Sequence, residues 1–259
     1  MSADFLSEPA LPLLLPAEKV RVRTLRVYLL GTLDFDVFVA FQRRLHYEIT
    51  GDRRYAVLIL CEHPPIITVG RQGSRGDIRL EADELRRRRW QIRWVHRGGG
   101  CVLHLPGQLA VYPMLPLDRL DCGISEYMQR LGATIGDVLA DYSIRSPIRA
   151  TDAGVWVGER ALATLGVSVR DWVTGFGAYV NLSPPLDAYR SVIAPANEAV
   201  ALTSLQRERR GPVRAALVRE RLIEHFQQRF GFAQVTLFTD HPALRGLTQR
   251  CSERVMEGA

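Results

Sequence analysis

The chain has 259 residues, 47% of them hydrophobic and 24% charged, with four cysteines and a formal net charge of +6. That is the composition of an ordinary soluble globular protein, large enough to bury a core without staples. Cys61, Cys101, Cys122 and Cys251 show neither CxxC nor metal-ligand spacing, which argues against a zinc site or a secreted disulfide framework and for reduced thiols in a cytoplasm.

Residues 1–20 contain the apolar stretch LPLLLP, too short and too proline-broken for a signal peptide or a membrane span, so a poorly ordered arm is expected there. VRVRTLRVYLLG alternates as a first strand. Asp34 then reads as the N-cap of a helix carrying Phe35, Phe38, Phe41, Leu45 and Ile49 on one side and ending at Gly51. YAVLILCE is a continuous apolar run, the mark of a strand buried on both faces. Pro64 and Pro65 stop it, and IITVG restarts an extended segment. An arginine-rich helix is predicted over Glu81 to Arg89, then strands at IRWVH, CVLHL and LAVYPML. GISEYMQRLGATIGDVLADY reads as a helix with Ser125 as its cap. Gly154 to Asn181 is hairpin-like, with Gly158 and Glu159 at the first turn. A Pro-containing loop spans Ser183 to Asn197, helices follow near Ala199 to Arg209 and Pro212 to Arg229, and AQVTLF makes a last strand. Strands joined mostly by short turns predict one α+β domain over residues 21–240, with a mixed or antiparallel sheet flanked by helices and a tail at 241–259.

Arg86 to Arg89 and the group Arg207, Arg209 and Arg210 hold much of the positive charge. Neither interleaves aromatics as a nucleic-acid platform would, so solvated helix faces are the first expectation and an acidic protein partner the second. Arg97-Gly98-Gly99-Gly100 lies between two predicted strands, where glycines permit close approach of backbone to ligand and can aim N–H groups at an anion or carbonyl. No Gly-Lys-Ser/Thr follows, which excludes a Walker loop, and the next element is a strand, which excludes a dinucleotide fingerprint. No cofactor and no metal are expected.

Three stretches, EHPPIITVGR, RGGGCVLHLPGQ and GVWVGERALATLG, followed by ALTSLQRE, resemble in order the motifs of the octanoyl/lipoyl protein transferases, over roughly Leu25 to Phe230. The resemblance implies the fold shared with biotin and lipoate protein ligases. It also implies transfer of an octanoyl group from acyl carrier protein to a lysine of a lipoyl domain, as in 2-oxoacid dehydrogenase or glycine cleavage proteins. The substrate site it implies takes in Arg71, Arg97, Gly98, Gly99, Gly100, His104, Gly107, Gln108, Thr164, Leu165, Gly166 and Gly177. Arg71 and Arg97 either contact a phosphopantetheine or carboxylate, or brace loops through backbone carbonyls. A cytoplasmic monomer, bound to neither membrane nor nucleic acid, is expected.

Family members work through a cysteine thioester assisted by a lysine. Here Ala196, in Pro195-Ala196-Asn197, takes the cysteine's place and Ala161 the lysine's, while Phe176 replaces a histidine. Leu103 and Leu105 replace a tyrosine and a glycine. No cysteine occurs between Cys122 and Cys251, and no lysine after Lys19. Cys101, with His104 as its base, is one replacement for the nucleophile; a small buried cysteine packed beside glycines is the other reading. Three functions therefore stand open: an acyltransferase with a moved nucleophile, a non-catalytic protein that binds acyl carrier protein or lipoyl domains, and an ATP-dependent lipoate or biotin ligase.

Overall fold

The computed structural model describes residues 22–144, 147–191 and 201–248. Its main sheet runs in the order β12-β1-β2-β6-β10-β9-β8-β7, with β11 (Ala201–Leu202) paired to β9. The strands are β1 (Thr24–Thr32), β2 (Tyr55–Glu62), β6 (Gln108–Met114), β7 (Ile148–Thr151), β8 (Gly154–Val157), β9 (Arg160–Arg170), β10 (Val173–Asn181) and β12 (Gln234–Phe238). β1 is parallel to both β2 and β12, and the path from β2 through β6 to β7 is antiparallel. A second sheet, β4-β3-β5, is made of β4 (Gln91–Trp94), β3 (Ile66–Val69) and β5 (Cys101–His104).

Helix α1 (Phe35–Gly51) makes the crossover between β1 and β2, and the Asp34 carboxylate caps it by accepting from the Asp36 and Val37 N–H groups. Its buried stripe of Phe38, Phe41 and Leu45 packs on one face of the main sheet. Helices α3 (Ile124–Ala140) and α5 (Ala215–Phe230) cover the other through Leu131, Ile135, Leu222 and Phe226. β2 explains its own apolar run: Ala56, Leu58 and Leu60 enter the α3/α5 core while Val57, Ile59 and Cys61 enter the α1 core. The small sheet has a third core, built on Ile67, Val69, Cys101 and Leu103.

Several local expectations are corrected. The cap of α3 is Gly123 rather than Ser125, with no side-chain bond. The helix expected from Ala199 contains instead β11 and a five-residue helix α4 (Leu205–Arg209), which Ser204 caps. Formation of β11 satisfies Thr203 N–H on the Ala161 carbonyl, a tertiary bond no local pattern encodes. α5 begins at Ala215 rather than Pro212, and β7 appears where no strand was predicted. Residues 242–248 are helical, and Leu244 is buried in the α1 core. The arginine-rich helix α2 (Ala82–Arg88) pairs Arg86 with Asp83 and Arg88 with Glu84 on an exposed face.

Candidate active site

The glycine segment leaves β4 and turns back into β5 against the edge of β9. Gly98 N–H donates to Val167 O at 2.8 Å, and Gly99, at φ +79, donates to Gln72 Oε1 at 3.0 Å. These two N–H groups are therefore satisfied within the protein, and neither is left to cradle an anion. Gly166 is required by the same packing, because a Cβ there would lie 2.9 Å from Gly98 O and 3.1 Å from Arg97 Cδ.

Arg97 is 1% exposed and among the described residues meets no carboxylate. Its Nη1 donates to Gly98 O, and its Nη2 donates to Thr68 O and Oγ1 at 3.0 and 2.8 Å. The guanidinium sits 5.5 Å from the Tyr179 ring centroid. Of the two roles considered, loop bracing is what these contacts provide.

A directed hydrogen-bond chain continues from there. Thr68 Oγ1 accepts from Arg97, and because the Gln108 amide presents its Oε1 to His104 Nδ1, the Thr68 hydroxyl proton goes to His104 Nε2 at 2.9 Å. His104 Nδ1 then carries the proton and donates to Gln108 Oε1 at 3.0 Å. Gln108 Nε2 donates to Asn181 Oδ1 and Tyr189 Oη, at 3.0 and 2.9 Å. The assignment fixes a neutral Nδ1–H tautomer, in accord with burial, which holds His104 well below the usual imidazole range.

Cys101 and His104 are not brought together. Cys101 belongs to the small-sheet core, with its thiol directed to Ser74 O at 3.6 Å and Asp77 Oδ2 at 3.9 Å. Burial first and the Asp77 carboxylate second push that thiol up to about 11. Three residues further along β5, His104 falls on the other side of the strand, and both its ring nitrogens are taken.

A cavity of about 340 Å³ opens between the glycine segment, β5 and the start of β9, at the small end of ligand pockets, which run from about 300 to 1,000 Å³. Val102, Leu103, Ala161, Ala163 and Leu165 make it mainly apolar, and Gln108, Asn181 and Tyr189 present a polar end. Of the expected site residues, Arg97, Gly99, Gly100, Cys101, Gln108, Thr164 and Leu165 line it. Arg71 is exposed and outside it. Gly107, at φ +87, forms the β5–β6 turn, with its N–H on Glu62 Oε2. Gly177 lets β10 approach the Val111 carbonyl of β6, so both are framework positions. Ala161 faces the cavity, whereas Ala196 lies outside the described residues. Asp152, Ala153, Asn181, Tyr189 and Leu202 were not expected in the lining. They come from separate segments, and only the strand patterning of β8–β10 hinted that some share a face. Among the described residues no cluster of metal-ligating side chains occurs, and no helix is long and apolar enough to cross a membrane.

The chain is 34% identical over 201 residues to the octanoyltransferase of Geotalea uraniireducens, covering 76% of this chain and 89% of the relative. It is 35% identical over 205 residues to that of Solibacter usitatus, covering 78% and 91%. Among solved structures, a lipoate-protein ligase A bound with ATP superposes with TM-score 0.71 at 16% identity, covering 87% of this chain and 92% of the other. A bipartite lipoate protein ligase from Thermoplasma acidophilum gives 0.64 at 16%, covering 89% and 91%; at these identities the likeness concerns the fold alone. The model of the lipoyl protein ligase A/B catalytic domain matches residues 34–227, and the chain belongs to that family.

Proposed function

We propose that the protein binds an octanoyl group in the β5/β9 cavity and passes it from acyl carrier protein to the lysine of a lipoyl domain. The observation that carries this reading is the mainly apolar cavity of about 340 Å³ beside the braced glycine segment, in a chain whose relatives are named octanoyltransferases. Each methylene taken from water into such a cavity contributes about 0.8 kcal/mol, so an eight-carbon tail is held by several kcal/mol without any charge on it. A cytoplasmic site of action, where acyl carrier protein is available, is part of the proposal.

Ala161 offers no ammonium group, and Cys101 is held protonated and turned toward Ser74. The transfer that fits these residues is direct. The acceptor amine attacks the donor thioester carbonyl, the C–N bond forms as the C–S bond breaks, and the amine proton goes to the departing thiolate. The enzyme contributes alignment of the two reactants. A second reading is favoured by the same alanine: the protein keeps the acyl pocket and only binds.

The test is incubation of the full chain with octanoyl-acyl carrier protein and a lipoyl domain, followed by intact-mass spectrometry of all three. A modified acceptor with no adduct on the enzyme supports direct transfer. A hydroxylamine-labile adduct on Cys101 replaces it with a thioester mechanism. An unmodified acceptor, in a folded sample that still binds octanoyl-acyl carrier protein, rejects transfer in favour of the binding reading.

A further inference from the structure

A second cavity, of about 360 Å³, lies between α1, the β4 strand and the far end of the β9–β10 hairpin, and it shares no lining residue with the first. α1 presents Val39, Gln42, Arg43 and His46 to it, at i, i+3, i+4 and i+7, which is one helical face. The deep wall is apolar: Phe35, Met114, Val173 and Phe176 all line it and all are buried. The rim carries Arg43, Arg93 and Arg170; Asp36 is the carboxylate in the lining, and Asp171 beside it lies 3.4 Å from Arg170 Nε and 3.8 Å from His46 Nε2. Asp36 is already held by a bidentate contact from Arg93, at 2.9 and 2.7 Å, while Arg43 is exposed and has no ion pair among the described residues.

Two further features mark this cavity as more than a packing gap. The Gln42 Nε2 amide is buried and has no hydrogen-bond partner; such groups are rare in folded proteins and call for an acceptor. It lies over Gly175, where a Cβ would stand 3.0 Å from Ser168 Oγ and 3.7 Å from Gln42 Nε2, so an amide and a hydroxyl converge on one spot. Phe176, on the floor, sits at φ +55 within a strand, a conformation that bulky side chains adopt only where surrounding structure imposes it, and one that clusters at ligand sites.

We propose that this cavity is a separate ligand site for a small organic anion, a carboxylate on an apolar body. The tail lies over Val39 and Phe176 with the buried Met114 directly behind them, Arg43 supplies the countercharge to the carboxylate, and the Gln42 amide turns outward to donate its Nε2–H, which is covered in this structure. The chemistry is the same for an aliphatic and an aromatic acid, and the flat, exposed Trp94 at the rim suits either.

Met114 makes the test site-specific, since the chain has four methionines and Met128 on α3 serves as a control. The full chain, labelled with 13C at the methionine methyls and assigned with Met114→Leu, is titrated with octanoate and, separately, with 4-phenylbutyrate. Saturable movement of the Met114 signal is expected. It should persist in Ala161→Phe, which fills the first cavity, and weaken about tenfold in Arg43→Glu, the loss expected for one charge-assisted hydrogen bond. A response to one acid alone identifies the source as aliphatic or aromatic. A static Met114 signal with both acids, or equal movement in Arg43→Glu, overturns the proposal. Because the readout requires neither acyl carrier protein nor transfer, failure here leaves the octanoyl reading untouched.

Discussion

Arg97 Nη2 donates to Thr68 Oγ1 at 2.8 Å, in a site where the arginine is 1% exposed and faces no carboxylate among the described residues. That contact heads the network below it, in which Gln108 Oε1 accepts from His104 Nδ1 and the Thr68 hydroxyl therefore donates to His104 Nε2. Thr68→Val keeps the shape but removes an acceptor from a buried cation and a donor from a buried imidazole. Each buried group left unpaired costs about 1–3 kcal/mol, so a loss of about 2–4 kcal/mol is expected in urea unfolding. Thr68→Ser should restore most of it. A valine variant as stable as the wild type would show that the chain of donors does not hold the site.

The two buried histidines make stability depend on pH in a definite direction. Burial pushes His63 down to about 4 and His104 well below its ordinary value near 6.5. Both are neutral in the folded state, and their contribution is fully present above pH 6.5. Below it the unfolded chain takes up protons that the folded chain refuses, so stability falls as the pH drops, for His63 until about pH 4. The slope is about 1.4 kcal/mol per pH unit for each such histidine once the unfolded chain is protonated. Urea midpoints between pH 7 and pH 5 measure it, and His104→Gln should make the decline shallower. A flat profile over that window would mean that water reaches both rings.

The β9–β10 hairpin turns through Asp171 and Trp172, at φ +51 and +62, the paired left-handed backbone of a type I′ turn. Glycine suits the second of these positions best, yet it carries an exposed tryptophan. A non-glycine residue held in that conformation costs about 1–2 kcal/mol. Trp172→Gly is therefore expected to raise stability by about 1 kcal/mol, a Tm increase of about 2–4 °C for a chain of this size. A fall in Tm would assign the indole a stabilising contact that outweighs the strain.

This turn shows where sequence reading runs out. The break at Asp171 between ALATLGVSVR and WVTGFGAYVNL was legible, but the left-handed conformation of Trp172 was not, because only the register of β9 on β10, Val173 opposite Arg170, forces it. β2 and α1 were legible because their information is local: a run apolar on both faces, and a capped helix with a 3.6-residue stripe. The glycine triplet was legible as a place of close approach, but its partner was not. Val167, which accepts from Gly98, lies 69 residues away. Cys101 and His104 looked like a pair because they are near in sequence, and strand alternation separates them. Gln108, Asn181 and Tyr189 converge from the β6, β10 and post-β10 segments, a meeting that only the folded sheet creates.

Cys101 offers the sharpest division between mechanisms. With its thiol raised to about 11 by burial and by Asp77, only about one molecule in a thousand carries a thiolate at pH 8, against roughly a quarter for a free cysteine of pKa about 8.5. Alkylation by iodoacetamide, followed by peptide mapping, should therefore be slow at pH 8 and rise about tenfold per pH unit toward pH 11. Asp77→Asn removes the carboxylate from beside the sulfur, so it should lower the thiol's pKa and speed alkylation at fixed pH. If octanoyl passes through Cys101, the same variant speeds transfer together with alkylation. If the acceptor amine attacks the donor thioester directly, alkylation accelerates while the transfer rate stays where it was, and Cys101→Ser leaves that rate unchanged as well.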